Sequence, residues 1–149
     1  MRFHADTYPR GETLATLNAE TMLRAPRLHS VAPMIVAQRC LNLLRARKQP
    51  RFFNISSKMG SLWWKERERG GGDYSYCSSK DALNMLSRTL AFDHRPEGII
   101  VMALTPGWVQ PDMEGDNADL APAESVRGIL DVIVGLTIAD SSKFLTRGG

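Results

Sequence analysis

Tyr76 and Lys80 stand four residues apart, and Ser57 lies nineteen residues before the tyrosine. On a helix the first two share a face, about one turn apart. A phenol stays protonated at neutral pH, with an ordinary pKa of about 10. An ammonium held beside it favours the anion and brings the group closer to use as a proton donor and acceptor. Ser57 follows a short β-prone run, where its hydroxyl could bond the same substrate oxygen that Tyr76 protonates. Each feature alone also has a plain structural reading, a chance helical pair and a strand-end turn serine. Read together, they could serve one substrate oxygen, Tyr76 as proton donor or acceptor and Ser57 as hydrogen-bond partner.

These residues need elements to position them. Residues 51–56 (Arg-Phe-Phe-Asn-Ile-Ser) follow Pro50 and read as a short buried strand. A long helix is expected over 74–94, with Ala82, Leu83, Leu86 and Leu90 on its apolar stripe and Pro96 and Gly98 stopping it. Residues 99–104 form an unbroken apolar run, the pattern of a parallel strand covered on both faces. Strand, helix and strand make a right-handed βαβ unit. Ser57 and the Thr105-Pro106-Gly107 turn then share the carboxyl edge, where open α/β sheets bind ligands.

Around this unit, helical spacing predicts a helix from Ser30 to about Lys48, with Pro33 tolerated near its start, and a further helix over 12–28. Residues 57–73 read as a loop ending in Gly70-Gly71-Gly72. Val126, Ile129, Leu130 and Ile133 mark a third helix with Pro122 near its start, and the tail 143–149 has room for one short strand.

The 149 residues suit a single domain with one core. Nineteen basic and sixteen acidic residues intermix, as in the run 65–69, and this favours a solvated face over a nucleic-acid groove. Cys40 and Cys77 have no neighbours at metal-binding spacing, which points to a reduced, cytoplasmic chain without disulfide or zinc. No apolar run approaches the roughly twenty residues of a membrane span, and residues 1–11 lack the apolar stretch of a signal peptide.

The ordered motifs are Asn54-Ile55-Ser56-Ser57, Gly60-Ser61, the run from Gly71 to Asn84 (Gly-Gly-Asp-Tyr-Ser-Tyr-Cys-Ser-Ser-Lys-Asp-Ala-Leu-Asn) and Pro106-Gly107-Trp108-Val109. From about Ser30 to Phe144 the chain resembles a short-chain dehydrogenase/reductase of the C-factor and sniffer-type carbonyl reductase branch. The resemblance implies an NADP- or NAD-dependent oxidoreductase acting on a small-molecule carbonyl or alcohol. It makes Tyr76 the general acid/base and Lys80 the holder of the nicotinamide ribose, while Ser57 orients the substrate oxygen. Pro106, Gly107 and the backbone of Val109 match the loop beside the nicotinamide. It also implies a homo-oligomer, since helices of this family commonly pair between subunits.

Four departures accompany the resemblance. No Gly-rich phosphate-binding turn occurs before the first helix, so the expected fold is an incomplete Rossmann-like doubly wound parallel sheet lacking the first βαβ units. His29 stands where the family usually presents an asparagine, and is read either as a partial replacement or as a helix-surface histidine. Pro111 takes the place of a threonine. The span between Ser57 and Tyr76 is long and carries Trp63 and Trp64, as a substrate lid or an exposed contact. The competing reading is an inactive, degenerate homologue that serves as an interaction module.

Overall fold

The computed structural model describes residues 11–68, 70–109 and 120–149. Helix α1 (Ala19–Pro26) passes through a π turn (Arg27–Val31) into α2 (Ala32–Arg45), and β1 (Arg51–Ile55) follows. A short 3-10 turn (Lys58–Gly60) and α3 (Leu62–Glu68) lead to the long α4 (Tyr74–His94). Then come β2 (Ile100–Thr105), α5 (Pro122–Gly135) and β3 (Phe144–Thr146).

The three strands are parallel in the order β1-β2-β3, with Phe53 opposite Met102 and Leu104 opposite Leu145. The unbroken apolar run becomes the central strand, and every residue of it is buried. Alternate side chains of β2 serve opposite faces. Val101 packs with Ala91, Leu41, Leu44 and Leu90 on the α2/α4 side. Met102 and Leu104 pack with Leu136, Ile129 and Ile133 on the α5 side. Helices on both faces of a parallel sheet make this the expected partial, doubly wound arrangement. The outer side of β1 has no strand beside it among the described residues, and Ile55 at its end is 50% exposed.

Three expectations change. The helices expected over 12–28 and from Ser30 are one rod from Ala19 to Arg45, with Pro26 and Pro33 inside it. Ala32 N–H bonds back to the Arg27 carbonyl, five residues earlier, and the wider turn takes up the disruption of two residues that lack an N–H. Asn18, whose side chain accepts from the N–H groups of Glu20 and Thr21, starts the rod and leaves 12–17 outside it. Second, the span 57–73 is not a plain loop. It contains α3, where Trp63 and Trp64 meet edge to face at 5.2 Å and Arg67 lies 3.8 Å over Trp63.

Third, the buried stripe of α4 is Ser75, Ser79, Leu83, Ser87 and Ala91, while Ala82, Leu86 and Leu90 are only half-buried. Small residues let the helix lie close to its neighbours. Their hydroxyls are satisfied locally, Ser79 by the Tyr76 carbonyl (2.7 Å) and Ser87 by the Leu83 carbonyl (2.6 Å).

Candidate active site

The parallel register sets the rim. Ser56 N–H continues the ladder by donating to the Leu104 carbonyl (2.7 Å), so the carboxyl ends of β1 and β2 lie abreast. Ser57 and Pro106 follow these ends directly. Into this rim α4 delivers Tyr76 from its first turn and Lys80 from its second.

Lys80 Nζ donates to the Ile55 carbonyl at 3.1 Å and sits 5.8 Å from the centroid of the Tyr76 ring. Burial lowers the pKa of this ammonium, because the charged form loses hydration. The lysine is thereby tied to the strand end two residues before Ser57.

The two adjacent serines have different surroundings. Ser56 is buried and donates to Asn84 Oδ1 at 2.6 Å. Ser57 is half-buried, and its Oγ accepts from Met59 N–H at 3.2 Å. Its own hydroxyl proton has no acceptor among the described residues. Asn84 also donates to the Gly60 carbonyl (3.0 Å), clamping both the strand end and the loop against α4. Sequence reasoning quoted Asn84 without giving it a role. The signal was its position one turn beyond Lys80 on the same face.

Gly60 explains the Gly60-Ser61 motif. An added Cβ would lie 2.7 Å from Lys80 Cβ and would meet the Asp81 nitrogen and the Lys80 carbonyl carbon closer still. Only glycine lets the loop approach α4 this closely.

His29 is not a surface histidine. The π turn drives it inward to 7% exposure, where Nδ1 lies 2.9 Å from Ser79 Oγ and the ring meets Tyr76 edge-on at 5.7 Å. Ser79 gives its one hydroxyl proton to the Tyr76 carbonyl, so toward His29 it accepts, and the imidazole carries a hydrogen on Nδ1. The histidine therefore braces the main chain of Tyr76 through Ser79. Ser30 adds a second brace, donating to the Ser79 carbonyl at 2.6 Å.

On the other side of the rim, Pro106, Gly107 and Val109 face α5 and its approach. The Pro106 carbonyl accepts from Ser125 Oγ (2.7 Å), and Val109 bridges to Leu120. Gly107 has φ +84, and a Cβ there would lie 2.7 Å from Leu120 Cδ1. Pro111 lies outside the described residues. Gly72, at φ +80, packs against the Glu12 carbonyl and follows no strand. Among the described residues no cluster of His, Cys, Asp and Glu is placed to hold a metal ion.

The chain matches the family model for short chain dehydrogenases over residues 8–120. It is 39% identical to C-signal of Myxococcus xanthus over 136 residues, covering 91% of this chain and 80% of that protein. Among solved structures it is similar to an NADPH-bound carbonyl reductase from chicken fatty liver, at 33% identity and TM-score 0.86. The carbonyl reductase Sniffer of D. melanogaster follows at 28% identity and the same TM-score. In both cases 95% of this chain aligns with 60% of the other, so it spans less than two thirds of either reductase. The matched span takes in both halves of the rim, with the strand-end serines, the Tyr76/Lys80 helix and the Pro106-Gly107 turn, and the chain belongs to the short-chain dehydrogenase family.

Proposed function

We propose that this chain is an NAD(P)-dependent oxidoreductase that reduces a carbonyl or oxidises an alcohol, with Tyr76 as general acid/base. The observation that carries the reading is the anchoring of Lys80 by the Ile55 carbonyl, which holds an ammonium beside the Tyr76 ring at the strand end that leads to Ser57. The carbonyl reductases it resembles, one of them with NADPH bound, support the same class of cofactor and substrate.

The two ends of a dinucleotide fit unequally. Lys80 suits a ribose hydroxyl pair, and the backbone of Pro106, Gly107 and Val109 suits the nicotinamide side. The phosphate end has no such seat among the described residues. The start of α1 is capped by its own Asn18 and that of α4 by the Glu12 carboxylate, and no glycine-rich turn leads from a strand into a helix. Bound nicotinamide supplies or accepts the hydride.

This chain's residues manage the proton. In reduction Tyr76 Oη passes a proton to the carbonyl oxygen as that oxygen gains charge, and Ser57 Oγ–H bonds the same oxygen. Lys80 stabilises the phenolate left behind. Protonation and hydride addition together yield the alcohol, and oxidation runs the same steps in reverse.

A second reading, a non-catalytic interaction module, is favoured by the lack of a phosphate seat among the described residues and by the exposed Leu23, Val31, Ile35, Met85 and Phe92 on α1, the π turn, α2 and α4. These helices are also where a homo-oligomer would form. A single domain working in the cytoplasm completes the proposal. No helix among the described residues is long and apolar enough to cross a membrane.

Isothermal titration with NADPH and a carbonyl reduction assay test the reading. The expected binding is orders of magnitude weaker than in family members that carry a Gly-rich phosphate turn, because several charge-assisted hydrogen bonds of about 1.5–3 kcal/mol each have no donors among the described residues. Micromolar affinity of the 149-residue chain would refute the account of the phosphate end. Whatever reduction is detected should vanish in Tyr76→Phe with NADPH affinity nearly unchanged. Retention of that activity would refute the role of the phenol.

A further inference from the structure

We propose that Glu12 is a positioning residue for Tyr76, a buried carboxylate that caps the catalytic helix from a distant part of the chain. The inference rests on the function proposed above for Tyr76. Helix α4 begins without a cap of its own. Its N-cap residue, Asp73, is left-handed at φ 51 and makes no side-chain bond to the helix. The Asp73 carboxylate instead accepts from Gly11 N–H at 2.9 Å.

Glu12 fills that gap. It is only 2% exposed, and its two oxygens take different protons of one residue, Ser75 N–H at 2.8 Å and Ser75 Oγ–H at 2.8 Å. Its own carbonyl accepts from Asp73 N–H at 2.8 Å. The approach is so close that Gly72, at φ +80, could not carry a Cβ, which would lie 2.8 Å from the Glu12 carbonyl oxygen. Together these contacts staple the segment beginning at Gly11 to the start of α4.

The location gives the staple its consequence. First-turn N–H groups have no partner within the helix, so this is the turn that frays. A carboxylate there is favoured by the helix dipole and by charge-assisted hydrogen bonds. Ser75 precedes Tyr76 directly, whereas Lys80 sits in the next turn, where intrahelical bonds take over. Holding Ser75 therefore sets the Tyr76 phenol relative to Lys80, and through Ser79 relative to His29.

The full chain is compared with Glu12→Ala and Glu12→Gln by amide hydrogen exchange and by the NMR shifts of the Tyr76 ring, which the edge-on His29 ring perturbs. In Glu12→Ala, exchange at Ser75 and Cys77 should rise about tenfold to a hundredfold while Leu83 in mid-helix stays protected. The Tyr76 ring signals should move toward those of a free tyrosine. Glu12→Gln, which can still accept from Ser75 N–H and donate to Ser75 Oγ, should restore both. Unchanged exchange and ring shifts in Glu12→Ala, or failure of Glu12→Gln to restore them, would overturn the proposal.

If Glu12→Ala does not fold, Glu12→Asp takes its place. Its shorter side chain cannot reach both donors, and wild-type behaviour in it would overturn the proposal equally. None of these readouts depends on turnover, so a failure of the proposed reaction in Tyr76→Phe would be seen separately.

Discussion

Replacing Gly60 with alanine is a sharp test of how the serine loop is seated. The added methyl would lie 2.7 Å from Lys80 Cβ and closer still to the backbone of Lys80 and Asp81, none of which can swing away as a flexible side chain could. The loop then has to retreat by roughly 1 Å, and the Asn84 to Gly60 hydrogen bond, 3.0 Å long in the native protein, breaks. Overpacking of a tight site costs about 1–3 kcal/mol, and a lost internal hydrogen bond about 0.5–1.5 kcal/mol. At about 2–4 °C per kcal/mol for a chain of this size, the melting temperature should fall by about 10 °C. Circular dichroism at 222 nm measures the melt. Tryptophan emission should shift to the red at lower temperature than the helical signal, because Trp63 and Trp64 ride on the displaced segment. A melting temperature within about 2 °C of the native value would show that the loop is not pinned to α4 and would refute the reasoning.

Other substitutions separate structural from chemical roles. Ser56→Ala should destabilise by about 1–2 kcal/mol in urea titration, since it leaves Asn84 Oδ1 short of its donor, whereas Ser57→Ala should lower carbonyl reduction more than stability. Burial lowers the Lys80 pKa, so the folded state disfavours its charge. Lys80→Met should therefore keep or raise the melting temperature while reduction is lost. Glu97, held by Arg45 and then His94, has its pKa lowered from 4.5 to about 2, and Asp140, held chiefly by Lys143, from 3.8 to about 2. With folded values below the unfolded ones, their contribution is complete above about pH 5 and is lost as pH falls toward 2. Glu97→Gln and Asp140→Asn should each flatten the acid limb of a urea-stability profile, and an unchanged limb would argue against these pairs.

Much of the chain was legible in its residues because the signals are local. An apolar run between Gly98 and Pro106 can only be satisfied by burial on both faces, and it became the central strand with helices on both sides. Four-residue spacing puts Tyr76 and Lys80 on one helical face whatever surrounds them, and Ser57 follows its strand by chain continuity. The Pro122 start and the short strand in the tail likewise follow from local chemistry.

Tertiary structure decided what partners decide. The residues read as two helices, one over 12–28 and one from Ser30, but a π turn between Pro26 and Pro33 keeps one rod, because packing of that rod against α4 outweighs the intrinsic penalty of two missing N–H groups. Three serines on the buried stripe of α4 read as polar, yet each is satisfied within the fold, Ser79 and Ser87 by carbonyls of their own helix and Ser75 by Glu12. His29 could not be told from a surface histidine until the turn pointed it at Ser79 and Tyr76, and Glu12 lies 63 residues from the donor it caps. A side chain's type limits which bonds it can make. Which of those bonds it makes depends on contacts that close only when distant segments meet.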